Sequence, residues 1–403
     1  MNSKNIFNTT NLGNIAKVQT GPFGSQLHEK DYVEKGVPII TVEHLGYGRI
    51  IKNNIPCVSE PDVLRLKKFL LKTGDIVFSR VGSVDRSVLI RQEEDGWLFS
   101  GRCLRVRVIT KDVLPAYLYY YFTQNSFRQY VRNNAVGATM PSLNSSILRR
   151  LKILYPFLPK QKQINDILST IDDALANNYT RIQLLEESAR LLFREWFVYF
   201  HFPGHEKVKI VNGIPESWKK EKINKLVTFK RGVEPGSDNY SENNESGSFP
   251  FFRVSDLVTR NPSIFVDEQY AKGTLLKKSD IVISLDGSIG IVSMGLEGCY
   301  STGIRKLIIK DKKINREYLY FLMKSHYVQG IIKVYAKGTT IQHAGEVIKH
   351  LNSILPPQNL MDLFGEIANP AFNENLTLLD QNKKLIKARD LLLPRLMSGE
   401  IEV

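Results

Sequence analysis

The chain has 403 residues, 42% of them hydrophobic and 24% charged, with a formal net charge of +14. That length suits two or more domains, and no apolar run approaches the ~20 residues a membrane helix needs. Cys57, Cys103 and Cys299 are far apart and form no CxxC spacing, which argues against a disulfide scaffold and a cysteine zinc site. The segment from Met1 to Thr20 is polar and lacks an apolar signal core, so a cytoplasmic protein is expected.

In chain order, a first block over residues 1–158 reads as mixed structure rich in strands. β-branched runs bounded by turn residues predict strands at Gly36–Val42, Asp75–Ser79 and Arg105–Ile109. A helical stretch follows from Pro115 to Arg132, with Leu118, Tyr121, Phe122 and Tyr130 facing inward. Residues 159–200 then place apolar side chains at Ile164, Leu168, Ile171, Leu175, Ile182, Leu185, Ala189, Leu192 and Trp196, with Asn178 in the gap. The alternation of four and three is a coiled-coil seam. Pro159 suits its start, and Pro203-Gly204 is expected to end it. A second strand-rich block spans 201–357, with a strand at Lys306–Ile309 and a helical stretch from Arg316 to Val334. In the last segment, 358–403, Phe372, Leu379, Ile386, Leu393 and Leu396 continue a seam whose polar members are Asn375, Asn382 and Arg389. Pro370 should break or kink its start, which puts the main helix at 370–398.

The chain is an internal repeat. Leu71-Lys72-Thr73-Gly74-Asp75-Ile76-Val77-Phe78-Ser79 returns as Leu276-Lys277-Lys278-Ser279-Asp280-Ile281-Val282-Ile283-Ser284, and Tyr117-Leu118-Tyr119 as Tyr318-Leu319-Tyr320. Gly137-Ala138-Thr139 returns as Gly338-Thr339-Thr340, Leu158-Pro159-Lys160-Gln161 as Leu355-Pro356-Pro357-Gln358, and Ala189-Arg190 as Ala388-Arg389. The order is kept and the offset stays near 200 residues, so two half-length copies are implied, each a globular block followed by a helix. The fold class is therefore α+β: two strand-rich mixed α/β domains joined by two long helices that can pair as an antiparallel coiled coil. A homodimeric zipper is the competing use of the same heptads.

Charge follows the repeat. Residues 1–158 carry 22 Lys and Arg against 12 Asp and Glu, and residues 201–357 carry 23 against 16, whereas the helical segments carry 5 against 6 and 5 against 7. Two basic blocks suit two contacts with phosphates. No catalytic constellation accompanies them. There is no Gly-Lys dipeptide and hence no P-loop, no Asn-Pro-Pro or Asp-Pro-Pro followed by an aromatic, and no carboxylate pair followed by Glu-x-Lys. His28, His44, His201, His205, His326, His343 and His350 form no metal-ligand spacing. No metal or cofactor is expected in this chain.

Three loop types recur with the chemistry to read nucleic acid. The first follows the Asp-Ile-Val strand, with Arg80, Gly82 and Ser83 in one copy and Ser284, Asp286 and Ser288 in the other. Arg80 suits a guanine edge or a phosphate, although a plain hairpin turn accounts for the same residues. The second is the Gly-Thr loop, with Thr139, Ser142 and Asn144, and Thr339, Thr340, Gln342 and His343, whose hydroxyls and amides suit phosphates or base edges. The third precedes the first long strand, with Gly21, Phe23, Ser25 and Gln26, and with Lys230 and Arg231, followed by Arg253 and Ser255. Arg102, Arg105 and Arg107, and Arg305 with Lys306, read as phosphate contacts, with surface solvation as the alternative.

Taken together, these features resemble the specificity subunit of type I restriction-modification enzymes over essentially the whole chain. The stretch Ala189-Arg190-Leu191-Leu192-Phe193-Arg194-Glu195-Trp196-Phe197 is similar to that family's central conserved region. Pro215-Glu216-Ser217-Trp218 resembles the start of its second recognition domain, and Leu393-Pro394-Arg395-Leu396-Met397-Ser398-Gly399-Glu400-Ile401 its distal conserved region. The resemblance implies two target-recognition domains, each reading one half of a split site in double-stranded DNA. It implies helices that set the gap and dock two adenine methyltransferase subunits, with motor-nuclease subunits joining for restriction. S-adenosylmethionine would then sit in the methyltransferase subunits, and ATP and magnesium in the motor-nuclease subunits, leaving this chain non-catalytic. Other readings stay open: a coiled-coil dimeric regulator, a stand-alone methyltransferase or nuclease, and an RNA-binding protein.

Overall fold

The structure is a computed structural model that describes residues 7–24, 26–46, 48–137, 141–242, 247–336 and 344–403. It divides into two compact units, one of residues 1–176 with 383–403 and the other of residues 177–382. Each unit holds one strand-rich block and a segment of each long helix.

In the first unit, β1 (Asn8–Asn11) leads into β2 (Ala16–Thr20), β3 (Val37–Ile40), β4 (Ile76–Ser79), β5 (Ser87–Leu89), β6 (Leu98–Phe99) and β7 (Cys103–Val108). An antiparallel sheet has the order β2-β7-β4-β5. Strand β3 pairs in parallel with β6, setting Ile39 against Leu98 and Ile40 against Phe99. All four residues of β4 are buried, as a strand covered on both faces requires. Alternation along β7 sends Leu104 and Val106 to the core that also holds Tyr117, Leu118 and Phe122, while Cys103 joins the core with Ile39, Val77 and Phe99.

The predicted helix from Pro115 to Arg132 is two helices, α1 (Pro115–Thr123) and α2 (Asn125–Asn134). Gln124 between them is extended, at φ −61° and ψ 140°. The break lets Phe122 and Phe127 both enter the core, with ring centroids 4.7 Å apart, which two residues five positions apart on one helix would not do. Leu118 and Phe122 face inward as expected and Tyr121 packs at the core's edge, but Tyr130 is 51% exposed. Helix α3 (Ser145–Arg149) and β8 (Lys152–Tyr155) complete the block, with β8 closing antiparallel on β1.

Helix α4 runs from Leu158 to Phe197. It stops six residues before Pro203: the chain leaves the helical ladder as Tyr199 N–H bonds the Arg194 carbonyl, and Phe200 takes φ +62°. Of the expected seam, Ile164, Leu168, Leu175, Ile182, Ala189 and Trp196 are buried, as is Asn178, whereas Ile171, Leu185 and Leu192 are half-buried.

The second unit repeats the topology. Its strands are β9 (Lys219–Lys222), β10 (Val227–Arg231), β11 (Ser248–Phe252), β12 (Ile281–Ser284), β13 (Val292–Ser293), β14 (Cys299–Tyr300) and β15 (Ile304–Ile309). The main sheet has the order β10-β15-β12-β13, and β11 pairs in parallel with β14. Helices α5 (Arg316–Lys324) and α6 (His326–Val334) are again split, here at Ser325, whose hydroxyl caps the Val328 N–H at 3.3 Å. Strand β16 (Asn352–Leu355) closes on β9.

Helix α7 is continuous from Gln358 to Ser398, so the expectation of a helix starting at Pro370 fails. Proline removes one hydrogen bond to the residue four earlier. Here Glu366 and Pro370 are both exposed, so water can reach the carbonyl left without a partner, while Phe364, Ala368 and Phe372 pack into the core on the other face. Within the second unit, α4 and α7 run antiparallel: Asn178 Nδ2 donates to Asn382 Oδ1 at 2.9 Å, Arg181 pairs with Glu374 at 2.6 Å, and Phe193 meets Phe364. Within the first unit, Asp172 on α4 pairs with Arg389 on α7 at 3.1 Å, above a core of Ile164, Leu168, Leu393, Leu396 and Met397.

Candidate nucleic-acid interface

In the first unit the three recurring loops meet. The hairpin between β4 and β5 is held on one side by the turn before β7, where Arg80 N–H bonds the Arg102 carbonyl at 2.8 Å. On the other side it is held by the Gly-Thr loop, where Leu143 N–H bonds the Arg80 carbonyl at 2.8 Å and Gly82 N–H bonds the Pro141 carbonyl at 2.9 Å. Ser142 bridges both Val81 and Val136 through its backbone. Gly21 enters beneath: a Cβ there would lie 2.2 Å from the Ser100 carbonyl oxygen, so only glycine fits.

The second unit builds the same junction. Leu285 N–H bonds the Gly303 carbonyl at 2.9 Å, and Ala344 N–H bonds the Leu285 carbonyl at 2.7 Å. A Cβ on Gly232 would lie 2.1 Å from the Tyr300 carbonyl oxygen. Gly82 and Gly287 take φ +72° and +75° at the same point of their hairpins, a conformation glycine adopts without strain.

The side chains differ where the backbones agree. Arg80 Nη1 donates to the Gly101 carbonyl at 3.0 Å, and its guanidinium lies 5.6 Å from the centroid of the Phe23 ring, which is 56% exposed. In the second unit Leu285 takes the place of Arg80 and is buried. The guanidinium is supplied from elsewhere: Arg305 on β15 donates to the Thr302 carbonyl, the counterpart of Gly101. Arg231 Nε reaches the same carbonyl at 3.4 Å. Burial pulls the Arg305 pKa below its ordinary value, and the Asp286 carboxylate at 3.3 Å opposes that by stabilising the cation. Both units thus hold a guanidinium at one carbonyl by different routes, and Arg305, expected as a phosphate contact, is a correction: it is 8% exposed and its donors go to Thr302 and Asp286.

The remaining predicted residues divide by exposure. Arg102, Lys230, Arg231, Arg253 and Ser255 are exposed, and so are Gly82 and Ser288. Arg253 lies 3.8 Å from Asp256. Gln26, Ser83 and Ser142 are half-buried. Arg105 is a correction: it is 3% exposed and donates to the Lys68 and Leu70 carbonyls and to Gln19 Oε1, so it is built into the block and presents no surface cation. Arg107 is paired with Asp75 at 2.5 Å. Ser284 is also buried, its hydroxyl donating to the Ser288 carbonyl at 2.6 Å and accepting from Ile291 N–H. Asn144 is exposed, yet its side-chain oxygen caps α3 through the Ile147 N–H at 2.8 Å. Ser25, Thr139, Thr339, Thr340, Gln342 and His343 lie outside the described residues.

Sequence reasoning missed two cations. Lys68 and Arg149 are exposed and line a groove of about 370 Å³ beside Phe23. Lys68 belongs to a Lys-Lys pair and Arg149 to an Arg-Arg pair, but neither sits in a repeated loop, so the repeat did not mark them. Among the described residues, no group of three His, Cys, Asp or Glu side chains is placed to hold a metal ion. Nor is any helix there long and apolar enough to cross a membrane.

The family model for the type I restriction modification DNA specificity domain matches residues 6–187 and 215–360. Over 311 residues the chain is 29% identical to the type I restriction enzyme MjaIX specificity subunit of Methanocaldococcus jannaschii, covering 73% of this chain and 71% of that one. It is 23% identical over 407 residues to the HindI specificity subunit of Haemophilus influenzae, covering 83% and 88%. Its fold is similar to the crystal structure of the S subunit of a type I restriction-modification system from M. genitalium, with a TM-score of 0.57, 16% identity and coverage of 98% and 97%. With the family model spanning both strand-rich blocks, the chain belongs to the type I restriction-modification DNA specificity subunits.

Proposed function

We propose that this chain is the DNA-reading, non-catalytic subunit of a type I restriction-modification complex, with residues 1–158 contacting one half of a split duplex site and residues 201–357 the other. The observation that carries the reading is the loop junction built twice on one backbone plan with different side chains, Arg80 and Phe23 in one unit and Arg231 and Asp286, over the buried Arg305, in the other. A duplicated frame with divergent polar tips suits two half-sites of different sequence. The long helices, over 159–200 and 358–403, set the gap between the half-sites and dock two adenine methyltransferase subunits. Exposed Leu184, Leu191, Leu363, Ile367 and Leu391 on those helices support a docking role. The methyltransferase subunits carry S-adenosylmethionine, and motor-nuclease subunits carry ATP and magnesium.

Co-expression with the neighbouring methyltransferase, followed by mapping of modified adenines across the host DNA, tests the proposal. A split motif with two fixed parts around a constant gap is expected. Methylation at a continuous motif, or none beyond that of the methyltransferase alone, would overturn it.

A further inference from the structure

The groove in the first unit has its own chemistry. It holds about 370 Å³, within the ~300–1,000 Å³ of small-molecule sites. Phe23, Gln19, Gln26, Lys68 and Arg149 line it, and among the described residues no carboxylate does. Phe23 stands at its lip with more than half its surface in water, although a phenyl ring on a surface loses the gain of burial. The ring is not loose: the Arg80 guanidinium lies against it and is itself anchored on the Gly101 carbonyl. Gln19 gives its amide oxygen to Arg105, which leaves its amide nitrogen as a donor. An aromatic face, carboxamides and two cations around a space of this size are the parts that hold a single nucleotide, with the base stacked, its edge hydrogen-bonded and its phosphate neutralised. A base inside a duplex offers an edge but no face, so an aromatic at the lip of a concave site reaches one only where the stack opens.

We propose that this groove receives one nucleotide of the first half-site, drawn out of the base stack against Phe23 with its phosphate held by Lys68 and Arg149. The inference rests on the DNA-reading function above and adds to it a position where the duplex is opened by this chain itself. Phe23 and Arg80 then act together, the ring as the stacking face and the guanidinium as the group that positions it.

The test uses the full chain assembled with its methyltransferase subunits, and duplexes carrying 2-aminopurine at successive positions of the first half-site. Unstacking raises the fluorescence of this base. A rise is expected at one position other than the methylated adenine. Phe23→Ala should abolish that rise and weaken binding roughly tenfold, Phe23→Tyr should keep both, and the double variant Lys68→Ala with Arg149→Ala should weaken binding and reduce the rise. Lys225→Ala, an exposed residue of the other unit outside its loop junction, should leave the rise unchanged. Specific binding with a rise only at the methylated adenine, unaffected by Phe23→Ala, would overturn the groove proposal and leave the DNA-reading function standing. Loss of all site-specific binding by the wild-type assembly would overturn both.

Discussion

Asp75 shows how one buried carboxylate organises a strand-rich block. It is 1% exposed, accepts the Lys72 N–H at 2.8 Å and takes both Nε and Nη2 of Arg107, with Arg105 at 4.0 Å. Asp280 in the second unit repeats the backbone contact, accepting Lys277 N–H at 2.7 Å, but pairs with one lysine, Lys306, and both side chains keep nearly a fifth of their surface in water. Removing a buried partner strands the charges it neutralised, which costs about 3–5 kcal/mol, whereas a more solvated pair costs less. Asp75→Ala is therefore expected to lower the urea midpoint of the first unit well beyond what Asp280→Ala does to the second. Equal losses would mean that the arginine pair contributes nothing. The repeat made both aspartates visible in the sequence. It did not show that Arg105 turns inward, because two arginines at alternate strand positions look the same whether they meet water or a buried carboxylate. The exchange of Arg80 for Arg305 was hidden for a related reason: aligning the repeat sets Leu285 against Arg80, and only the fold brings a residue of the next strand to the same carbonyl.

Among the elements, the long helices were the most legible, since strands and short surface helices do not sustain a seam of alternating four and three over many turns. Their ends and interruptions were less so. The extended residue at Gln124 answers the need to bury Phe122 and Phe127 together, a tertiary demand without a local signal. Pro370 misled in the opposite direction: its local cost is real, but packing of Phe364, Ala368 and Phe372 outweighs it. The helix therefore still carries the cost of the missing intrahelical bond and of the proline ring, with water as the only partner at the Glu366 carbonyl. Replacing Pro370 with alanine restores a donor to the Glu366 carbonyl and removes the ring, and should stabilise the protein by about 1–3 kcal/mol. A thermal melt of Pro370→Ala should show a raised midpoint. A lowered midpoint would mean that proline fixes a bend on which the packing depends. The buried Asn178–Asn382 contact was also readable as a polar interruption in both seams, and a shift of either helix would strand an amide.

At the scale of the whole molecule, the two compact units divide inside both long helices, between Ala176 and Asn177 and between Asn382 and Lys383. Each unit keeps its own contacts to the helix segments it contains, such as Asp172 with Arg389 in one and Arg181 with Glu374 in the other. Extra helix placed at those two points would therefore disturb few contacts within either unit. A heptad preserves the seam, because seven residues return each helix to nearly the same face. At 1.5 Å per residue it adds about 10 Å, the rise of about three base pairs at 3.4 Å each. If the helices set the gap between half-sites, a matched heptad insertion at both points should lengthen the methylated motif's gap by about three base pairs and leave its two fixed parts unchanged. A heptad in one helix alone should instead leave the two helices of unequal length, so that the Asn178–Asn382 contact and the Asp172–Arg389 pair cannot both be kept on continuous helices, and reduce assembly. Adenine mapping with the doubly extended chain separates the outcomes. An unchanged gap with full methylation would show that the spacing is not set by helix length, and altered fixed parts would show that the helices shape the reading surfaces as well as separating them.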